Sequence, residues 1–184
     1  KRVQELIDFY FQKEYNAINS CLKSNQFNLL KTNNFFNMLN VKYFIFNLDG
    51  NGVVDLNRSV NNQTPGVLKN LFALGNAWTV QNIKWVSSPD EEILSVGDSL
   101  FNPKFSVVID EKYRKVLGDI STSGESVVSM QNYKANQIDY IIEAKKEELI
   151  VFSEIFYDKG WKAFIDDVET SHIRANYVLR ALKV

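Results

Sequence analysis

The stretch that decides the fold is Val151-Phe-Ser-Glu-Ile-Phe-Tyr-Asp-Lys-Gly-Trp-Lys-Ala-Phe-Ile-Asp-Asp167. Its first half is apolar on both faces, as a strand is when it lies inside a sheet that is covered on both sides. Gly160 interrupts the run, and a second short strand follows that ends at a hairpin tip, Asp166-Asp167. Ile173-Arg-Ala-Asn-Tyr-Val-Leu-Arg-Ala-Leu182 follows, and its second half, 177–182, is predicted as a further strand. The pattern therefore predicts a β-sheet with 149–157 as a central strand.

Strands at short spacing surround this central one. Beyond Asp119 the sequence predicts strands over 127–133, 138–144, 149–157, 161–165 and 177–182. Short strands separated by turn residues are typical of an antiparallel sandwich or an open sheet. Because the strand pattern still runs close to Val184, we expect the sheet to continue in a longer parent protein and this part to be truncated at its C-terminal end.

The residues before Asp119 mix helices with strands. Apolar side chains at helical spacing predict an amphipathic helix over 2–22 that docks on the rest of the chain; they are Val3, Leu6, Ile7, Tyr10, Phe11, Ile18 and Leu22. A second helix is predicted over 31–39, and Ser88-Pro-Asp-Glu91 is a strong helix start. A further short helix should begin at Asp110 and end before Gly118. Strands are predicted over 41–47, 77–86, with a bulge near Asn82, and 105–109.

These patterns predict an α+β fold in two parts. N-terminal helices and a small mixed α/β part occupy residues 1–117, and an antiparallel β-sandwich or open sheet occupies residues 118–184. A hydrophobic content of 45% in 184 residues is sufficient for a substantial core.

Charge and composition exclude several classes of protein. The formal net charge is -1, with 21 basic and 22 acidic residues interspersed, which argues against a nucleic-acid partner because such partners need a concentrated basic face. No apolar run is long enough to cross a membrane. The chain begins at Lys1 and shows no signal peptide, so we expect it to be a piece of something longer.

Residues that could bind metals or support nucleophilic catalysis are scarce. Cys21 and His172 are each the only residue of their kind, which argues against a zinc or transition-metal site, and no cofactor motif is present. Oxygen-bearing side chains at alternate positions imitate a calcium loop; they are Asn47, Asp49, Asn51 and Asp55, with Gly52 at the sixth position. The twelfth position, which should supply a bidentate Glu, holds Arg58, so a hairpin turn is the favoured interpretation.

The carboxylate of Glu154 is the most unusual feature of the central strand. It shares a strand face with Phe152 and Phe156, and a buried carboxylate is too costly unless it is neutral or paired. The candidate partners are Arg174 and Arg180. We favour a structural ion pair, with a ligand contact and a catalytic acid as the alternatives.

Two other groups of side chains suggest carbohydrate chemistry. Asp166 and Asp167 could be a hydrolytic carboxylate pair, but adjacent residues at a hairpin tip point into water, so we interpret them as a turn. Trp78, Trp85 and Trp161 could stack on pyranose rings, although most Trp side chains belong to the core. Trp161 follows Gly160 at the predicted rim of the sheet. We take Trp161 and Trp78 as the candidate ligand-binding residues.

Three blocks of the sequence resemble one known family. They are Leu39-Asn-Val-Lys-Tyr-Phe-Ile45, Ala73-Leu-Gly-Asn-Ala-Trp78, and the hairpin from Phe152 to Asp166 together with Arg174-Ala-Asn-Tyr-Val-Leu-Arg180. In order and spacing these blocks resemble the C-terminal extracytoplasmic segment of the YfhO-like bacterial membrane proteins. One departure is Asp167, at a position where the family usually has Gly.

The resemblance implies a location and a role. YfhO-like proteins are polytopic and resemble lipid-linked-sugar glycosyltransferases, whose chemistry is expected in the membrane-embedded half, so no catalytic residue is carried over to this chain. The resemblance implies a non-catalytic domain on the periplasmic or extracytoplasmic face, tethered by transmembrane helices outside this sequence. Its partner would be the membrane-embedded remainder, whose site it would cover or support, or a cell-envelope glycan, which it would orient. The alternatives are a free-standing secreted carbohydrate-binding sandwich and, third, a hydrolase.

Overall fold

The structure is a computed structural model that describes residues 1–24, 26–45 and 67–184. About 28% of the chain is helix and 35% is strand, and most of the strands are antiparallel, so the predicted α+β class is confirmed. The calcium-like stretch from Asn47 to Arg58 lies outside the described residues.

The N-terminal helix is continuous but irregular. It consists of α1 (Arg2–Leu6), a π-helical segment (Ile7–Phe11) and α2 (Gln12–Ser24). The helix is docked, as expected: Leu6, Tyr10 and Ile18 are buried, and the Tyr10 hydroxyl donates a hydrogen bond to the Ile93 carbonyl at 2.7 Å. Ile7 and Phe11, predicted to face inward, are exposed. The wider π turn changes the angle between successive side chains and turns part of the apolar stripe outward.

A compact helical corner follows the N-terminal helix. A 3₁₀ segment (Phe27–Thr32) leads into α3 (Asn34–Met38), which is shorter than the predicted helix over 31–39. Asn33 caps α3 by accepting a hydrogen bond from the Phe36 amide at 3.1 Å. Strand β1 (Tyr43–Ile45) then pairs antiparallel with β2 (Val67–Lys69).

The single strand predicted over 77–86 is two strands in two sheets. β3 (Ala77–Thr79) runs antiparallel to β8 (Leu149–Ile155), whereas β4 (Asn82–Val86) runs parallel to β5 (Ser106–Asp110). The expected bulge is wrong, because the break in alternation marks the point where the chain leaves one sheet for another.

Helix α4 (Pro89–Val96) connects the two parallel strands. It begins as predicted: the Ser88 side chain accepts a hydrogen bond from the Glu91 amide at 3.2 Å, and the Glu91 carboxylate accepts one from the Ser87 amide at 2.8 Å. After β5, Asp110 caps a 3₁₀ turn (Glu111–Tyr113) by accepting a hydrogen bond from the Lys112 amide. Helix α5 (Arg114–Leu117) completes this connection and ends at Gly118, whose φ is +63°.

The central sheet has four antiparallel strands in the order β11-β12-β8-β3. The strand predicted over 177–182 is β12 (Leu179–Lys183), and it lies between β8 and β11 (Ile173–Ala175), a strand that the sequence did not indicate. Two residues in left-handed conformation, Asn176 and Tyr177, form the turn between β11 and β12.

Two hairpins flank this sheet. One consists of β6 (Val127–Lys134) and β7 (Gln137–Glu143), and the other of β9 (Ala163–Ile165) and β10 (Val168–Thr170). Asp166 and Asp167 form the β9–β10 turn with φ values of +48° and +65°, which confirms their interpretation as a turn.

Alternate side chains of β8 enter two hydrophobic clusters. Leu149 and Val151 belong to the larger cluster, which includes side chains of α1, α4 and β5. Ile150 and Phe152 belong to a smaller one, which the two hairpins cover. The division into residues 1–117 and 118–184 stays a prediction, but β3 and β8, on its two sides, share one sheet.

Candidate ligand-binding site

The candidate site lies where the loop after β8 meets strand β12. Trp161, in that loop, is half-buried, and the guanidinium carbon of Arg180 lies 4.9 Å from the centroid of its ring. The same guanidinium donates a hydrogen bond from Nη2 to the Ile155 carbonyl at 3.1 Å. Arg180 is therefore held in place by a backbone acceptor and a cation–π contact.

Glu154 and Tyr140 form the second part of the site. The Tyr140 hydroxyl donates a hydrogen bond to Oε1 of Glu154 at 3.2 Å, and its ring packs edge-on against Phe152 with the centroids 5.1 Å apart. Desolvation raises the pKa of the half-buried Glu154 carboxyl, while the Tyr140 hydrogen bond and the nearby charge of Arg180 act in the opposite direction. Burial, then the charge of Glu154, raises the pKa of Tyr140 above its usual value. The carboxylate is partly desolvated and keeps accepting capacity.

His172 completes the site. Its ring lies 5.4 Å from the ring of Phe156, and burial, followed by the charge of Arg180, lowers the pKa of His172 below 6.5. The imidazole is consequently neutral at pH 7, so one ring nitrogen donates and the other accepts.

Two atoms in this region have no hydrogen-bond partner in the part of the chain that the structure describes. They are Nε of Arg180 and Nε2 of His172, and both atoms are buried. Such orphaned polar atoms are uncommon in native structures, and each one calls for a cause. We refer to Tyr140, Glu154, Trp161, His172 and Arg180 as the rim cluster.

The ion pair predicted for Glu154 does not form among the described residues. Glu154 has no cationic group within 4.0 Å among the described residues, although Arg180 is near enough to act on its pKa. Arg174 is on another ion pair: its Nη2 lies 3.1 Å from Oε2 of Glu92 and 3.5 Å from Oδ2 of Asp110. Arg174 therefore does not belong to the rim cluster.

The carboxylate that pairs with Arg174 was not predicted from the sequence. Glu92 is fully buried, and besides Arg174 it accepts hydrogen bonds from Nη1 of Arg2 at 3.1 Å and from the Tyr177 amide at 3.0 Å. Glu92 is one turn before Val96 on the inward face of α4, and this spacing could have indicated that Glu92 is buried. The burial was not predicted because acidic residues in the first turn of a helix usually face solvent.

A second buried carboxylate, Glu148, was also missed. It accepts hydrogen bonds from the Ser123 amide at 3.1 Å, from the Gly124 amide at 3.2 Å and from the Ser123 hydroxyl. Consecutive amides that converge on an anion form a nest. Glu148 thus fixes Ser123 and Gly124, in the connection that precedes β6.

The other candidate ligand residue, Trp78, belongs to the larger core. It is 8% exposed, and its indole Nε1 donates a hydrogen bond to the Pro103 carbonyl at 2.8 Å. Its remaining surface lines a shallow cleft of about 260 Å³ together with Gln81, Lys104 and Ser126. Trp85, the third Trp, is half-buried with the guanidinium of Arg114 4.2 Å from its ring centroid. The structure does not bring Trp78 to the rim cluster.

Groups for other chemistry are sparse in the described ranges. Within them no three His, Cys, Asp or Glu side chains converge as a metal site. Cys21 is buried, and burial raises the pKa of its thiol. No helix in the described part of the chain is both long enough and apolar enough to span a bilayer.

Comparison with known proteins gives no relative. No protein-family model, no curated protein and no solved structure matches this chain.

Proposed function

We propose that this chain is a non-catalytic extracytoplasmic domain of a multi-spanning, glycosyltransferase-like membrane protein. In this role it covers or supports the glycosyl-transfer site of the membrane-embedded half, or orients a cell-envelope glycan there. The proposal starts from the resemblance to YfhO-like proteins, and the chain's own geometry supports it in two ways.

The main support is the position of the resembling blocks. Ala77 and Trp78, from the second block, pair with Phe152 and Val151 of the third. The first block contributes Phe44, which packs on the same larger cluster as Trp78. The resembling blocks therefore contact one another in the fold, as segments of a single family domain would.

The departure at Asp167 gives further support. Its φ of +65° is in the left-handed region, where glycine is the residue of lowest cost. The resembled family usually has Gly at this position. A family with the same β9–β10 turn would therefore be expected to use Gly there.

Activity measurements on the parent protein test the proposal. The samples are membranes that contain the parent protein, membranes that contain the parent without residues 1–184, and the purified chain alone, each given a polyprenyl-phosphate-linked sugar. We expect transfer by the parent, a large loss on deletion, and no turnover by the chain alone. Turnover by the purified chain, or a parent sequence without hydrophobic stretches of about 20 residues, would contradict it.

A free-standing secreted carbohydrate-binding module is the second candidate. The rim cluster favours it, because an aromatic ring beside polar side chains is the usual composition of a saccharide site. The upstream reading frame separates the two candidates, since a signal peptide alone would favour the secreted module.

A further inference from the structure

We propose that the rim cluster is a binding site for one neutral pyranose unit of a glycan. The unit stacks on the half-buried ring of Trp161, and its hydroxyl groups bond to Glu154, Arg180 and His172. This inference rests on the glycan-orienting part of the proposed function and assigns it a site and a ligand class.

The state of Arg180 is the first argument. Its residue is 8% exposed, its Nη2 is bonded to the Ile155 carbonyl, and its Nε has no partner. A guanidinium has five N–H donors, and a buried one without an acceptor is destabilising. Because Nε has almost no accessible surface, a ligand oxygen beside Trp161 would supply the missing acceptor after a small shift of the side chains that cover it.

The pairing of donors and acceptors is the second argument. Glu154 accepts one hydrogen bond, from Tyr140, and a carboxylate can accept about four. His172 has an unpartnered Nε2, and its neutral ring can donate or accept. Each sugar hydroxyl both donates and accepts, so adjacent hydroxyls match a carboxylate, a guanidinium and an imidazole that lie together.

The aromatic surface is the third argument. Trp161 is half-buried and directly follows Gly160, whose backbone is covered by the ring of Tyr157: a Cβ at position 160 would be 2.3 Å from Cδ1 of that ring. Tyr157 and Phe164 are exposed on the same loop and hairpin. The C–H face of a pyranose packs on such rings.

The charges of the cluster favour a neutral sugar. Arg180 is the one cation among its five side chains, and Glu154 offsets that charge. Asp158, close enough to act on the pKa of His172, adds negative charge beside the site. A phosphate or a uronate would meet these carboxylates without a second cation to offset them.

Titration of the purified chain with soluble saccharides tests the proposal. The probes are neutral tetrasaccharides of glucose, mannose and N-acetylglucosamine, an oligogalacturonate, and inorganic phosphate, each followed by calorimetry and amide chemical shifts. We expect at least one neutral probe to bind with a Kd below about 1 mM, at least tenfold more tightly than the oligogalacturonate or phosphate. Shifts should centre on residues 154–162 and 172.

Matched variants locate the site. Trp161→Ala should weaken binding at least tenfold, Trp161→Phe should retain most of it, and Glu154→Gln should weaken it several-fold. Trp85→Phe, on β4, is the control and should bind as the unaltered chain does. The proposal is overturned if no neutral probe binds at 10 mM, if an anionic probe binds best, or if Trp161→Ala binds normally with its fold intact by circular dichroism. A negative result here leaves the membrane assay unaffected, so the two proposals fail separately.

Discussion

Replacement of Glu92 should cost more stability than any other single change to a charged side chain discussed above. In the folded chain its carboxylate has no exposure and accepts from two guanidinium groups and the Tyr177 amide. In Glu92→Ala, Arg174 retains Asp110 at 3.5 Å as its one carboxylate partner among the described residues, and its side chain is 9% exposed. Arg2 can turn to water, since its side chain is 28% exposed.

The size of the effect follows from these contacts. Removing one partner of a buried ion pair costs about 3–5 kcal/mol, because the other charge stays buried without it. The Tyr177 amide also loses its acceptor, which places the expected loss toward the upper end of this range. Glu92→Gln keeps an acceptor oxygen for that amide and should cost less. For a chain of this size, a loss of about 3–5 kcal/mol lowers the melting temperature by roughly 6–20 °C.

Urea unfolding measures the free energy directly. Trp fluorescence and far-ultraviolet circular dichroism should give one coincident transition, with an unchanged slope and a lower midpoint for Glu92→Ala. Glu91→Ala is the matched control, one residue earlier on the exposed side of the same helix, and it should lower the urea midpoint much less than Glu92→Ala does. A loss below about 0.5 kcal/mol for Glu92→Ala would refute the reasoning.

Three further predictions concern other side chains. Burial raises the pKa of Glu154 in the folded chain, so the free energy of unfolding should fall as pH rises from the unfolded pKa through the folded one. Glu154→Gln should flatten this pH dependence in urea titrations from pH 4 to 8. An unchanged dependence in the variant would show that another group causes it. The Cys21 thiol is buried and its pKa is raised, so it should react with iodoacetamide at pH 8 at least tenfold more slowly in the folded than in the unfolded chain. Equal rates would contradict this and show that the N-terminal helix opens readily. Asp167→Gly should raise the free energy of unfolding by up to about 1 kcal/mol, because glycine adopts a φ of +65° without a Cβ clash; a loss of stability would contradict that account.

Local signals predicted the helix starts and most strands of this chain. Ser88 begins α4 as expected, since a cap depends on residues three positions apart. The two-faced apolar pattern of 149–157 correctly identified an interior strand, because a strand with both faces buried has no polar alternation. The chain changes sheet after Thr79. The sequence showed there only a break in the alternation of apolar and polar residues, which does not indicate that β3 pairs with β8 and β4 with β5.

The polar contacts of the site could not be predicted in the same way. Arg174 and Arg180 are opposite each other on β11 and β12, and both were plausible partners for Glu154. Asn176 explains why Arg174 pairs with Glu92. Its side chain accepts a hydrogen bond from the Val108 amide at 2.8 Å, and this holds the turn that carries Arg174 beside β5, near Glu92. The contact between Arg174 and Glu92 joins residues 82 positions apart, so it depends on the whole fold and cannot be predicted from residue spacing.

The order of strands in the central sheet has a consequence for synthesis on the ribosome. β12 follows β8 in the chain and lies between β8 and β11, so β8 leaves the ribosome after its neighbour β3 but before its neighbour β12. β12 is finished about 30 residues later, which corresponds to roughly 1.5–6 s at ordinary translation rates. During that interval the nascent chain exposes an apolar strand edge, and its capture by chaperones should be greatest in this window.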